Sequence, residues 1–454
     1  MDDQTNKFRM KSPLHDALSQ NQSLPVVVAE MKVIGGSKTR ESFLRAQIKE
    51  IVGKEYTVSS LLAALDNSSE KLQAFGIYSA VNYKLDLSPS AVNQSGSVPL
   101  IGTLTLRESA RFQFKAGTSI GNGQADATVE GRLGNLFGGA EELTVSADRD
   151  IGNKRSYSVN YRSPIKNSDV WKSELAGFIS SNERPWVSHD ETLRGIRLKA
   201  VGPGVLGGTQ ELGYEAAWRT IGNLKPTASK TVRMEAGENF KSSIFNQWQL
   251  YKLNDIFLPT AGYSMKFFHE IAGFVPNNNG DIQFMKGQFE GKAVKSFFNN
   301  IFTFSLSGTG GLLWGLDDTH KTNLLDRFFL GGPNSVRGFY LNRLGPSDEE
   351  DSIGGEAYIA GGLSLFTRLP RVSADSPLRL HFFSNAGSLL GINYTNPSET
   401  FWNLLKTPSI STGFGLTYRH PAARFELNFT LPIATRTSEF PRKGFQFGLG
   451  MTFL

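Results

Sequence analysis

From Arg111 onward the chain alternates apolar and polar side chains with a period of two. Phe112, Phe114 and Ile120 interleave with Gln113, Lys115 and Ser119, and Phe302, Phe304 and Leu306 with Thr303, Ser305 and Ser307. The plainest case is Phe425, Leu427, Phe429 and Leu431 set against Arg424, Glu426, Asn428 and Thr430. Successive strand residues point to opposite faces, so each segment predicts a strand with one apolar and one polar face. Soluble β-sandwiches alternate as well, but three details separate this chain from them. The apolar positions are mostly large aromatics and leucines, in segments of roughly ten residues, the length of a membrane strand. Turns of Gly, Asn, Pro and Asp recur to the end without a helical interruption, and the last segment, Phe445 to Phe453, has no polar tail. There are roughly 16 segments, least regular over 165–260, and an even number suits a closed barrel with both ends on one side. The pattern predicts a mainly β fold, with a 16-stranded transmembrane antiparallel β-barrel over 110–454.

The first part of the chain reads differently. Residues 1–24 are polar without a sustained period, the signature of a flexible tail. A β-branched run from Val26 to Ile34 ends at Gly35-Gly36, as a strand and its turn would. Phe43, Ile48 and Ile51 give a short helical face, and Thr57-Val-Ser-Ser opens a second helix with Leu61, Leu62, Leu65 and Leu72 in register. Strands follow from Phe75 to about Leu87 and from Leu100 to Leu106. This order predicts a compact α+β domain over 25–109.

Composition narrows the chemistry. The chain has 33 Phe, 47 Gly and 12 Tyr, yet a mean hydropathy below zero. No run reaches the about 18 consecutive apolar residues of a membrane helix, a test blind to alternating strands. A net charge of +6 is too small and too evenly spread to imply nucleic acid, and suits contact with a lipid bilayer. With no cysteine there is no disulfide, thiolate site or cysteine nucleophile. Met1-Asp2-Asp3 begins neither a basic, apolar signal peptide nor an arginine-rich presequence, which argues against export by a signal peptide.

Two segments stand out as candidate sites. The stretch 309–352 is longer than loops in compact folds usually are without a function. It holds Leu324-Leu325 and Phe328-Phe329-Leu330, then Gly331, Gly332, Pro333, Asn334, Ser335, Val336, Arg337, Gly338 and Phe339. That apolar content predicts a loop folded inward into the lumen. A buried guanidinium needs a carboxylate, and the alternation offers lumen-facing Glu426 and Glu356. The second segment is the terminal strand, where Gln446, Gly448, Met451 and Phe453 have the spacing polar-x-Gly-x-x-apolar-x-apolar. Met451 and Phe453 are expected on the lipid face with Phe447 and Leu449, while Gly448 and Gly450 leave the edge poorly packed, as at a seam. Catalytic patterns are missing: six scattered histidines have no metal-ligand spacing, there is no Gly-x-Ser-x-Gly elbow, and Gly331-Gly332 lacks a phosphate-loop lysine. We expect no enzymatic activity, no metal and no cofactor. His381 is expected to be a polar residue of the lumen.

A single α+β module followed by a barrel with a Val336-Arg337-Gly338-Phe339 loop before its twelfth strand resembles the BamA superfamily of outer-membrane assembly proteins. Its small domain would be of the POTRA type. The runs Gly354 to Tyr358, His381 to Gly387, Arg419 to Phe429 and Lys443 to Gly450 are similar to its mitochondrial branch, in a fungal-looking form. The resemblance covers about residues 25 to 454 and is strongest beyond 325. It implies an insertase that folds β-barrel precursor proteins into the mitochondrial outer membrane, with the POTRA-type domain and both termini in the intermembrane space. It also implies a lateral gate between the first strand (Phe112, Gln113, Phe114, Lys115, Gly117, Ser119) and the last (Gln446, Gly448, Gly450, Met451, Phe453). Implied partners are the precursors, peripheral subunits of a sorting and assembly machinery on the cytosolic side, and a second barrel or another copy of the chain. Bacterial members often carry an aspartate in the Phe-x-Asp-x-Gly motif where this chain has Asn385, so Glu426 becomes the expected partner of Arg337. The rival function within the superfamily is a channel for solutes or polypeptide.

Overall fold

The computed structural model describes residues 22–88, 97–121, 124–150, 155–273, 282–317, 322–372, 376–421, 423–450 and 453–454. The chain forms two units, one of residues 1–113 with the segments 132–143 and 161–172, the other of the remainder.

The first unit is built from β1 (Pro25–Gly35), α1 (Glu41–Ile48), β2 (Glu55–Thr57), α2 (Val58–Ala74), β3 (Tyr78–Leu87) and β4 (Val98–Glu108). The strands form one sheet in the order β2-β1-β4-β3, with β1 and β4 parallel. Thr57 starts α2 because its hydroxyl accepts the Ser60 amide at 3.2 Å while Ser60 accepts the Thr57 amide at 2.9 Å, a reciprocal cap. Phe43, Leu44, Ile48 and Leu72 of the helices pack on Tyr78, Val81, Leu104 and Leu106 of the sheet. Within this unit Arg40 pairs with Glu141 at 2.8 Å, and its amide donates to the Gly138 carbonyl. Gly138 sits at φ +83°, where a side chain would be strained, and a Cβ would come within 2.9 Å of the Arg40 nitrogen.

Sixteen strands form a second sheet in which neighbours follow chain order. They are β5 (Phe112–Gly121), β6 (Gln124–Gly134), β7 (Glu142–Asp150), β8 (Arg155–Pro164), β9 (Lys172–Arg184), β10 (His189–Pro203), β11 (Thr209–Gly222), β12 (Gly237–Tyr251), β13 (Ala261–Ala272), β14 (Phe284–Phe297) and β15 (Phe302–Gly315). After a long insertion come β18 (Ala357–Arg368), β19 (Leu378–Leu390), β20 (Ser409–Arg419), β21 (Arg424–Ala434) and β22 (Gly444–Gly450). The insertion carries a two-stranded hairpin, β16 (Ser347–Asp348) and β17 (Asp351–Ser352). Among the described residues two α-helices lie in connections, α3 (Lys230–Met234) and α4 (Pro397–Lys406). β5 and β22 are the two ends of the strand order.

The two faces of this sheet differ as the alternation requires. Leu306 and Leu363 are cross-strand partners and both are more than half exposed, whereas their neighbours Ser305 and Ser364, also partners, are buried. Apolar side chains therefore face outward and polar ones inward, the inverse of a soluble core and the arrangement of a membrane barrel.

One expected boundary is corrected. β15 continues to Gly315, because Thr309 to Leu312 keep pairing with Ala360 to Ala357, so the insertion is residues 316–356 and not 309–352. β22 is described from Gly444 to Gly450, and residues 451–452 of its expected extent lie outside the described residues.

Candidate functional site at the arginine loop and the terminal strand

The insertion lies inside the barrel. Phe328, Leu330, Val336, Phe339 and Leu344 form one buried cluster with Phe284, Leu313, Tyr358 and Leu389 of the inner wall. Two salt bridges, one buried and one half-buried, position its first half. Arg219 of β11 meets Asp326 through two hydrogen bonds of 2.7 and 3.0 Å, and Arg327 reaches Glu235 at 3.1 Å. Neither pair was expected from sequence, although Arg219 lies on the polar parity of its strand.

The turn from Gly331 to Phe339 requires backbone that other residues rarely adopt. Gly331, Gly332 and Gly338 have φ of +102°, +114° and +85°. A Cβ on Gly338 would also fall 2.8 Å from Cβ of Ser411. Val336 fills the space left by Gly387, whose Cβ would fall 2.7 Å from Cγ2 of Val336.

Arg337 is only 1% exposed. Its Nε and Nη2 donate to one oxygen of Glu426, Oε2, at 3.2 and 2.9 Å. Its Nη1 donates to Asn385 Oδ1 at 3.0 Å and to the Leu454 carbonyl at 2.9 Å. Glu426 Oε1 accepts from Arg424, and Oε2 also accepts Asn428 Nδ2 at 2.7 Å. One carboxylate thus serves two guanidiniums, and aromatic faces take up the excess positive charge. Arg337 lies 4.9 Å from the centre of the Phe383 ring, and Arg424 lies 4.7 Å from that of Phe366 and 4.6 Å from that of Phe453. His381 is stacked on Phe366 and hydrogen-bonded to Asn428 at 3.1 Å and Ser364 at 3.0 Å, closing the network.

The other carboxylate offered by the alternation, Glu356, does not reach Arg337. It anchors the start of the insertion instead, accepting from Thr322 at 2.5 Å and from the Ile392 amide at 2.8 Å. Asn385, set aside at the sequence level for lack of charge, is a direct partner of Arg337, because an amide oxygen suffices once Glu426 neutralises the guanidinium.

The loop tip also holds the terminal strand. The Gln446 side chain accepts from the Gly338 amide at 2.9 Å and donates to the Phe339 carbonyl at 2.8 Å. Asn334 donates to the Leu449 carbonyl at 3.1 Å, and the Leu454 amide donates to the Asn334 carbonyl at 3.1 Å. Lys292 of β14 reaches the Phe453 carbonyl at 3.3 Å. Leu449 is buried although it keeps the parity of exposed Phe447, and Phe453 is buried against the guanidiniums of Arg337 and Arg424, not on the lipid face as alternation suggested. The Phe453 ring centre lies 5.7 Å from the Arg337 guanidinium and 4.6 Å from that of Arg424. Gly448 is tightly packed rather than loose, since a Cβ there would meet Phe453, Asn334 and Pro333 at 3.0 to 3.3 Å. Met451 lies outside the described residues.

At the other end of the strand order, Phe112, Gln113, Phe114, Lys115 and Gly117 of β5 are all exposed. Lys115 is 3.8 Å from Glu130, and nothing lies within 4 Å of a Cβ placed on Gly117. The side chain of Ser119 lies outside the described residues. Among the described residues the loop motif, Glu426, Gln446, Gly448 and Phe453 come together, and no ladder joins β5 to β22.

A sixteen-stranded barrel with an arginine loop tied to its inner wall defines the class, and the Omp85 superfamily domain matches residues 135–453. The chain belongs to the Omp85 superfamily. It is 36% identical over 97% of its length to a Schizosaccharomyces pombe SAM50-like protein, covering 94% of that protein. It is 31% identical to the human sorting and assembly machinery component 50 homolog, covering 94% of this chain and 91% of that one. Among solved structures, BamA from Haemophilus ducreyi lacking POTRA domains 1–3 has the same fold, with TM-score 0.76 at 16% identity, covering 93% of this chain and 84% of that one.

Proposed function

We propose that this chain is a β-barrel insertase of the mitochondrial outer membrane, and that it works at the seam between β5 and β22. The relatives in fungi and vertebrates support the insertase activity and the membrane. The observation that carries the seam is that its two edges are not paired with each other among the described residues. β5 and β22 end the strand order, and the arginine loop holds the β22 side through the Leu449 and Leu454 carbonyls.

Lipid offers no hydrogen bonds, so each unpaired backbone group left in hydrocarbon costs several kcal/mol. An edge strand that stays unpaired is a template for another strand. A precursor whose last strand carries the polar-x-Gly pattern would satisfy its own backbone by pairing with β5, and later strands would add to the first. The process requires neither nucleotide nor catalytic group, and we assign no enzymatic role to any residue. Peripheral subunits of the sorting and assembly machinery would bind at the cytosolic end, with the POTRA-type domain in the intermembrane space.

Single cysteines at Gln113, Phe114, Lys115 and Gly117 test this in a chain that has no cysteine of its own. Oxidation should trap cysteines in the last strand of an arriving precursor, in a pairing register that shifts by one residue with each position. The rival channel function predicts ion conductance and no capture, and that result would overturn the proposal.

A further inference from the structure

We propose that α4 is an interfacial membrane anchor, seating Phe401, Trp402 and Leu405 at the boundary between headgroups and acyl chains. The argument begins with the face of the sheet that α4 covers. Leu306 and Leu363 are partners on the outward face, and six residues along each strand Leu312 pairs with Ala357, which in turn pairs with Leu390. An even step keeps a residue on the same face, so Leu312, Ala357 and Leu390 also point outward. They are covered, however, because Leu404 of α4 packs there with Ile392, Trp314 and Tyr394. The helix therefore lies on the outer, lipid-side surface at the end of β15, β18 and β19.

Helical geometry then sorts the remaining side chains. Thr400 and Leu404 face the sheet and are buried. Phe401 and Leu405 occupy one flank with Trp402 beside them, at 42%, 60% and 61% exposure. Glu399, Asn403 and Lys406 occupy the other flank and are exposed. The Lys406 ammonium lies 5.8 Å from the Trp402 ring centre, an indole beside a cation as found where lipid meets water. At ten residues α4 is far too short to span a bilayer, but it has the apolar and charged flanks of a helix that lies in the interface.

The helix is also held rigidly. Arg436 donates from Nη2 to the Thr407 carbonyl at 2.7 Å, to the Thr407 hydroxyl at 2.8 Å and to Ser388 Oγ at 2.9 Å. A fixed helix on the lipid side of the barrel, with its apolar flank continuous with outward-facing leucines, has the bilayer as its occupant.

The absence of cysteine makes the test direct. The full chain carrying Trp402→Cys, Leu405→Cys or Asn403→Cys is labelled with an environment-sensitive fluorophore and placed in phosphatidylcholine–phosphatidylethanolamine vesicles. Labels at 402 and 405 should be blue-shifted and quenched about two-fold or more by headgroup-proximal nitroxide lipid relative to 403, with aqueous iodide showing the reverse order. Equal access of iodide to all three would place α4 in water. Shielding of 402 and 405 from both quenchers would mean a protein surface covers it, and either result overturns the anchor.

Discussion

Arg337 makes four hydrogen bonds to three different groups, and a lysine could not reproduce that fork even though it keeps the charge. Arg337→Ala leaves Glu426 facing only Arg424, and removing one partner of a buried ion pair costs about 3–5 kcal/mol. The expected outcome is a large fall in the unfolding temperature of the barrel, followed by its shift on semi-native gels, with Arg337→Lys recovering little. Full stability of both variants would contradict the network. Glycines give a finer test. Gly448→Ala should cost roughly 1–3 kcal/mol, because its Cβ would press on Phe453, Asn334 and Pro333. Gly117→Ala, with open space around it, should stay within about 0.5 kcal/mol. Equal effects in the two would show that the packing of the loop on β22 does not matter. At this scale the sequence told which residues are polar and inward, and so pointed to Glu426. It could not tell that Glu356 is taken by Thr322, or that an amide at Asn385 serves as well as a carboxylate. Those choices depend on where the insertion folds back in three dimensions.

Among the elements, the strands were the most legible because a period of two survives any tertiary context. What escaped was the placement of Phe453, which reads as continued alternation from Phe447 and Leu449 yet faces the guanidiniums of Arg337 and Arg424. The short helices α3 and α4 escaped for lack of length. The β12–β13 connection, Lys252 to Thr260, adds a pH-dependent feature. Asp255 pairs with Arg419 at 2.5 Å and accepts the amides of Leu258 and Phe257. Burial alone would raise its pKa, but these amides and Arg419 outweigh it and hold the carboxyl below the ordinary value of 3.8. A depressed carboxyl stabilises the folded form at and above its unfolded pKa and loses that contribution as pH falls through the folded one. Hydrogen-exchange protection in this connection, corrected for the intrinsic amide rate, should therefore be flat from neutral pH down to about pH 4 and fall only below it. Asp255→Asn should make exchange fast throughout, and an unchanged profile would remove the pair from the account.

For the whole molecule, the arginine loop, the lumen wall and the end of the last strand form one connected unit. Sequence alone led to the superfamily through Val336-Arg337-Gly338-Phe339, yet it treated loop and seam as separate features. In the fold they touch, through Gln446, Leu449 and Leu454. Loosening the loop should thus change the seam, and Arg337→Ala should alter precursor capture at Lys115 even where the barrel remains folded. The most direct measurement of the central claim is the assembly of newly imported β-barrel precursors in mitochondria depleted of this chain. Membrane-integrated, folded precursors should fall sharply on depletion, recover with the intact chain, and recover poorly with Arg337→Ala. Normal precursor assembly in the depleted organelle would contradict the insertase.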